Sequence, residues 1–205
     1  MSAARPVPAT GGSTSGSADR ASAVPTCSSF SIEFLPAASA DDPGVVATTT
    51  VLINSVYSSS ESGLWIEGAL RTTEAEVAAL IRRGELAAAT SEGVIVGSVR
   101  IQRLDDTTGE FGMLAADPER RGLGLGRELV AFAEQWARHQ GLVSMQLEVL
   151  TPRTWTHPSK VFLIQWYERT GYRHIRTGAL EEAHPALAPL LATPCDFAVY
   201  RKKLT

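Results

Sequence analysis

The sequence has few cysteines and no long apolar run, and each shortage excludes a class of protein. Its two cysteines, Cys27 and Cys195, stand far apart, so neither a disulfide framework nor a four-cysteine metal site is indicated. No apolar stretch approaches the ~20 residues that a bilayer-spanning helix needs, and the amino terminus lacks the apolar segment of a secretory signal. We therefore expect a cytoplasmic protein with no membrane partner.

A surplus of positive charge is also missing. The 19 lysines and arginines are outnumbered by 22 acidic residues, so the formal net charge is −3 and no nucleic-acid partner is expected. The four histidines show no ligand spacing with a partner acid, and hence we predict no metal. A chain of 205 residues that is 44% hydrophobic is long enough to bury one core.

The amino-terminal stretch differs in composition from the rest. Residues 1–28 consist mainly of Ser, Ala, Gly, Thr and Pro, with too few large apolar groups to offset the entropy of ordering. We predict a disordered tail over residues 1–28 and a folded domain over residues 29–205. Arg5 and Arg20 lie in a Ser-rich stretch that is nearly free of acids. The hypothesis that this stretch is an organellar transit peptide therefore stays open.

The periodicity of apolar residues predicts a mixed α/β domain. Period-two patterns predict strands at 30–34, 86–90, 94–101, 110–116, 143–149, 171–176 and 197–203. Helical spacing follows Asp42, Thr73 and Leu125, and also covers residues 161–169. The helix after Leu125 is amphipathic, with Glu134 on its expected solvent side. Because a helix connects the strands at 110–116 and 143–149, these two should be parallel.

A glycine-spaced run precedes that amphipathic helix. Arg120, Arg121 and Arg127 gather at the helix start, where the helix dipole repels cations, so an anion should be present. Gly122, Gly124 and Gly126 would let backbone amides converge on a phosphate group.

Three designs of phosphate site could use such a run. A P-loop is excluded because no Lys-Ser or Lys-Thr pair closes the run. A dinucleotide-binding unit could use Glu148 as its ribose acid, but the glycines are spaced GxGxG rather than GxGxxG, and too few residues follow Glu148 to complete that fold.

The third design matches a known family. Residues Arg121 to Gly126, with the lead-in Asp117-Pro118-Glu119, resemble the Arg/Gln-x-x-Gly-x-Gly/Ala signature of the GNAT superfamily of acyl-CoA-dependent N-acyltransferases. A second block, Trp166-Tyr167 with Gly171-Tyr172, resembles another element of that family. The resemblance covers roughly residues 30–204. It implies a central mixed sheet, mostly antiparallel, that is splayed at one parallel strand pair and flanked by about four helices.

The resemblance also implies acetyl-CoA as co-substrate and a set of binding residues. Pantetheine would lie along Leu114, Ala115 and Ala116, with the backbone N–H of Ala115 polarising the thioester oxygen. The residues implied for the pyrophosphate are Arg121, Gly122, Leu123, Gly124, Leu125, Gly126 and Arg127. Lys160 occupies a position where relatives often have an asparagine, so it could reach the cofactor or be solvated.

Two catalytic residues are implied. Glu110, eleven positions before Arg121, matches the glutamate base of some family members, and burial beside Phe111 and Met113 would raise its pKa. Many relatives use a water chain instead. Tyr167, four positions before Gly171, matches the family's tyrosine acid. The alternatives without a catalytic role are that Glu110 forms a salt bridge and that Tyr167 packs in the core, although Trp166 is the better packing residue.

No motif identifies the residues that would contact the acceptor. Loop residues that could line it are Trp65, Arg153, Trp155, His157, Glu181, Glu182 and His184. The hypothesis from the sequence is an N-acetyltransferase that acts on a primary amine of a small molecule. The alternatives are a catalytically silent acyl-CoA-binding or regulatory module of the same fold, and a protein or peptide N-acetyltransferase. Oligomeric state, a homodimer included, and strict use of an acetyl donor stay open.

Overall fold

The computed structural model of the chain describes residues 30–183, 185 and 187–204. The tail predicted over residues 1–28 lies outside this part, as does His184. The strands are β1 (Ser31–Phe34), β2 (Leu86–Ser91), β3 (Val94–Arg103), β4 (Thr108–Ala116), β5 (Ser144–Pro152), β6 (Arg173–Ala179) and β7 (Cys195–Lys203). The α-helices are α1 (Pro43–Ser60), α2 (Glu74–Arg82), α3 (Leu125–His139), α4 (Pro158–Arg169) and α5 (Leu180–Ala183).

All of these strands form one sheet in the order β1-β2-β3-β4-β5-β7-β6. Every neighbouring pair is antiparallel except β4 and β5, which are parallel. The predicted mixed sheet with one parallel pair is therefore confirmed. A doubly wound dinucleotide fold is excluded, because it needs a mostly parallel sheet. The four-residue helix α5 was not predicted, since its segment has no helical period.

The helix starts follow the capping residues seen in the sequence. The Asp42 side chain accepts hydrogen bonds from the backbone N–H groups of Gly44 (2.8 Å) and Val45 (3.3 Å), and so caps α1. The Thr73 hydroxyl accepts from the backbone N–H of Glu76 at 3.2 Å and caps α2. Within the described residues, no helix is long and apolar enough to cross a membrane.

Of the three apolar clusters among the described residues, the two largest lie on opposite faces of the sheet. Alternate residues of β2 belong to different cores: Ala87 packs with α3 and α4, whereas Leu86 packs with α1 and α2. The first core contains Leu129 of α3 and Tyr167 of α4, and the second contains Ile53 of α1. The sheet is thus covered on both faces around its centre.

Glu134 corrects one expectation. This α3 residue was predicted to face solvent, but it is buried and its carboxylate accepts from Lys202 Nζ (2.8 Å) and from the Tyr172 hydroxyl (3.0 Å). Helical period alone places it on the polar side; a lysine and a tyrosine distant in sequence make the burial tolerable, because they neutralise and hydrogen-bond the charge.

Replacing Asp42 by alanine should destabilise the fold by about 1 kcal/mol, because two backbone N–H groups at the start of α1 would lose their acceptor. Urea denaturation monitored by circular dichroism measures this change. Asp41→Ala is the matched control: Asp41 makes only an exposed ion pair with Arg82, which is worth little. Equal losses for the two variants would contradict the capping role.

Candidate active site

The parallel strands β4 and β5 pair over only three residue pairs. The last pair is Glu110 with Gln146, yet β4 continues to Ala116 and β5 to Pro152. Beyond Glu110 the two strands separate, and in the described part of the chain residues 111–116 pair only with β3. We call the resulting opening the fork. It leaves one edge of β4 without a neighbouring strand.

A β-bulge lies in the fork. Gly112 is opposite Arg100 and Ala115 is opposite Ser98, so β4 advances three residues while β3 advances two. The extra residue is accommodated by Met113, whose φ is +47°, a left-handed conformation that residues other than glycine rarely adopt. As a consequence Met113 and Ala115 pack in the α1/α2 core, whereas Phe111 packs in the α3/α4 core.

The bulge decides which backbone groups face the fork. The N–H of Asp117 donates to the Val96 carbonyl at 2.9 Å, and alternate residues of a strand direct their backbone groups to opposite sides. Ala115 therefore faces β3, whereas Leu114 and Ala116 face the fork. The expectation that the Ala115 N–H polarises a thioester is corrected: Leu114 N–H is the donor on the open side.

Two tyrosines meet at the fork. Tyr57 of α1 approaches from one face and packs against Met113 and Ala115, and burial raises the pKa of this phenol to about 12. Tyr167 of α4 approaches from the other face and is 3% exposed, with its ring 5.9 Å from that of Phe111. Burial, aided by the neighbouring Tyr57, raises the pKa of Tyr167 far above its usual range.

The hydroxyl of Tyr167 is chemically distinctive. No described residue forms a hydrogen bond with it, whereas the neighbouring Tyr172 hydroxyl donates to Glu134 at 3.0 Å. The Tyr167 oxygen is not one of the fully buried polar atoms that lack a partner, so it is accessible from solvent. The predicted acid thus carries an unpartnered hydroxyl beside the fork, and its high pKa keeps it protonated near neutrality.

Glu110 lies where the fork begins. Its carboxylate accepts from Gln102 Nε2 (2.8 Å) and Gln146 Nε2 (3.2 Å). Desolvation by burial raises the pKa of Glu110, the charge of Glu148 adds to the rise, and the two glutamine amides oppose it. The raised pKa agrees with the expectation for a base. Phe111 does not contribute as expected, since it points to the opposite face of the sheet.

The glycine run forms an open turn before α3. Gly122 and Gly124 have φ values of +87° and +80°, which side chains with a Cβ rarely adopt. A Cβ added at Gly122, Gly124 or Gly126 would meet no described protein atom within 4 Å. The space above the turn is therefore open to a ligand, and the cap position Gly124 has no side chain to satisfy the amides of α3.

The other residues of the turn differ in availability. Arg121, Arg127 and Leu123 are exposed, whereas Leu125 is buried in the α3/α4 core and can offer only its backbone. Arg120 is held against Ser91 Oγ at 3.2 Å and Asp117 at 3.8 Å. Two of the three arginines at the helix start are thus placed to attract an anion, and the third stabilises the loop.

Lys160 is placed differently from either expectation. It lies in the first turn of α4, is buried, and forms an ion pair with the buried Glu61 just after α1. Glu61 also accepts from Trp65 Nε1 at 2.6 Å. Lys160 is therefore not solvated, and its ammonium is engaged by a protein carboxylate that the sequence did not single out.

A pocket of about 270 Å³ lies between α1 and the loop that follows it. Its lining includes Tyr57, Glu61, Trp65 and Arg71. Of the predicted acceptor residues that the structure describes, only Trp65 lines this pocket. The other three lining residues named here were not predicted from the sequence. Tyr57 fits the apolar face of α1, and Glu61 and Arg71 match no motif. The only sequence signal for Glu61 and Arg71 is that they stand at the two ends of one loop.

The remaining predicted acceptor residues lie elsewhere. Arg153 forms ion pairs with Asp196 (2.6 Å) and Glu181 (3.1 Å), which ties the loop after β5 to α5 and β7. The Trp155 ring lies 5.3 Å from that of His157, whose Nε2 is 3.2 Å from the Ser62 carbonyl oxygen. Glu182 is exposed. No group of metal-ligating side chains occurs within residues 30–183, 185 and 187–204.

Comparison with known proteins identifies the family. Residues 53–172, more than half of the chain, match the model of the acetyltransferase (GNAT) family, and the chain belongs to that family. No curated protein sequence matches the chain.

Solved structures show the same fold at low sequence identity. The PaiA N-acetyltransferase of Thermoplasma acidophilum, in complex with coenzyme A, is 14% identical with a TM-score of 0.63, over 85% of this chain and 98% of that one. An aminoglycoside 6′-N-acetyltransferase complexed with coenzyme A is 15% identical with a TM-score of 0.60, over 80% and 93%. The ribosomal-protein-S18-alanine N-acetyltransferase of Escherichia coli is 16% identical with a TM-score of 0.58, over 86% and 94%.

The neighbours of Glu110 predict opposite effects on its titration. Glu148→Gln should lower the pKa of Glu110, because a nearby negative charge is removed, whereas Gln102→Ala should raise it, because a donor to the charged form is lost. Titration of side-chain ¹³C-labelled glutamates by NMR measures both. Shifts in the same direction for the two variants would show that this account of the Glu110 environment is wrong.

Proposed function

We propose that this protein is an N-acetyltransferase that transfers the acetyl group of acetyl-CoA to a primary amine of a small molecule. The observation that carries the proposal is the unpartnered, protonated hydroxyl of Tyr167 at a fork whose other margin holds Glu110, a carboxylate of raised pKa. An acid and a base on either side of an open strand edge are what amine acylation by a thioester requires.

The described residues fit coenzyme A along the fork. Leu114 and Ala116 present backbone groups on the open edge of β4, where the amides of pantetheine can pair as an added strand would. The open space over the glycine turn and the exposed Arg121 and Arg127 suit a pyrophosphate at the start of α3. When bound, acetyl-CoA supplies the acetyl group as an activated thioester.

The residues at the fork then have separate roles. Glu110, directly or through a water molecule, accepts the proton that the amine loses as its nitrogen forms a bond to the acetyl carbon. Leu114 N–H is placed to stabilise the charge that develops on the thioester oxygen. Tyr167 donates its proton to the sulfur as the carbon–sulfur bond breaks, and solvent returns one proton to Tyr167 and removes one from Glu110.

The size of the acceptor pocket supports a small-molecule amine. The pocket of about 270 Å³ is lined by the loop between α1 and α2, which contributes Trp65 and Arg71. A volume of this order holds a compact metabolite-sized group.

Gly126→Ala should weaken coenzyme A binding about 10-fold or more, because the added methyl group enters the space expected for the pyrophosphate. Gly126 is the best position for this test: unlike Gly122 and Gly124 it has no positive φ, and alanine favours a helix. Isothermal titration calorimetry gives the affinity and thermal melting gives the stability. Unchanged affinity in a folded variant would contradict the assignment of the turn.

Tyr167→Phe should lower turnover with acetyl-CoA and an amine by about 10²-fold, the low end for a general acid, because the thiolate is itself a fair leaving group. Thiol release across a panel of amines, followed with a thiol reagent, measures turnover. Tyr172→Phe is the matched control, since it keeps the ring beside Tyr167 and removes a hydroxyl that is bonded to Glu134.

The control should lose stability but keep its turnover. Turnover of Tyr167→Phe within about twofold of the parent would reject the acid role. Coenzyme A binding without thiol release for any amine would instead favour the silent binding module, and release only with peptides would favour a protein or peptide acceptor.

A further inference from the structure

We propose that the acceptor is a zwitterionic amine, of the amino-acid class, whose carboxylate is bound by Arg71. The inference rests on the proposed acetyl transfer and specifies its substrate. Its basis is the composition of the pocket between α1 and α2, in which one arginine has no acidic partner while the neighbouring acids are either engaged or exposed.

Arg71 is half-buried in this pocket, with its guanidinium carbon 5.2 Å above the Tyr57 ring. Among the described residues, no aspartate or glutamate forms an ion pair with it. A guanidinium presents five N–H donors in one plane, and contact with the face of a ring leaves these donors for an anion.

Five other arginines are each paired with a carboxylate: Arg82 with Asp41, Arg83 and Arg100 with Glu85, Arg103 with Asp106, and Arg153 with Asp196 and Glu181. Arg121 and Arg127, assigned above to the pyrophosphate, share with Arg71 the lack of a carboxylate partner among the described residues. Arg71 is held over an aromatic ring instead, in a concave site. That is the arrangement expected of a residue that binds a ligand carboxylate through two parallel hydrogen bonds.

The acids of the pocket argue for a zwitterion rather than a simple anion. Glu61 is committed to Lys160 and Trp65, so it does not neutralise Arg71. Glu67 lines the pocket and is exposed. Glu67 and Arg71 are therefore the charged lining residues without an ion pair in the described part of the chain, and a ligand with one cationic and one anionic group matches them.

Tyr57 connects this anion site with the fork. Its ring lies under the Arg71 guanidinium and packs in the core that contains Met113 and Ala115 of β4. A carboxylate on Arg71 thus lies one tyrosine side chain from the strand along which the thioester is expected.

The experiment compares acceptors that differ only in charge: free amino acids and their carboxamides, with acetyl-CoA as donor. The parent enzyme should show a kcat/KM about 10-fold or more higher for the carboxylates, as expected when a hydrogen-bonded ion pair is lost. Arg71→Met should remove this preference by lowering kcat/KM for the carboxylates alone. Arg82→Met, which alters an exposed arginine paired with Asp41, is the control and should retain it.

Arg71→Lys guards against a folding defect in the methionine variant, because it keeps the charge; it should retain a reduced preference with an unchanged melting temperature. Equal kcat/KM for amino acids and carboxamides in the parent enzyme would overturn this inference alone. Acetylation of no amine by a protein that binds coenzyme A would overturn the proposed function, and this inference with it.

Discussion

The early end of the pairing between β4 and β5 is the constraint on which the rest of the site depends. A parallel pair that stops after three residue pairs leaves backbone donors and acceptors of β4 unmatched, and such groups need a partner. The bulge at Met113 fixes which of them are available, because it turns Leu114 rather than Ala115 toward the opening. The strained backbone conformation of Met113 therefore determines which backbone groups lie on the open edge of β4.

A buried ion pair joins two of the elements that carry site residues. Glu61 and Lys160 lie 99 residues apart in sequence, and their contact joins the end of α1 to the first turn of α4. Both charges are nearly removed from water, which is unfavourable unless each has close partners. The same carboxylate positions Trp65 at the pocket wall, so the helix that carries Tyr167 and the loop that lines the pocket are held by one group.

The sequence predicted what depends on local chemistry. The capped starts of α1 and α2, the glycine turn and the placement of Glu110 and Tyr167 on their elements each follow from a few consecutive residues. The parallel pair follows from the order of strand, helix and strand. Contacts between distant segments were not predictable: Glu134 was expected in solvent, and Lys160 was expected at the cofactor or in solvent. The predicted direction of the Ala115 amide was wrong for another reason. No residue type in the sequence marks a bulge whose left-handed residue is a methionine.

The outer strand β6 has a consequence for assembly. It is an edge strand of the sheet, most of its residues are exposed, and it carries Arg173 and Arg176. The unpaired side of an edge strand can pair with a strand of another molecule, which is a common route to unwanted association. Two copies that met along β6 would bring four guanidinium groups together, and this repulsion opposes self-association there, whereas an acidic strand would meet no such barrier.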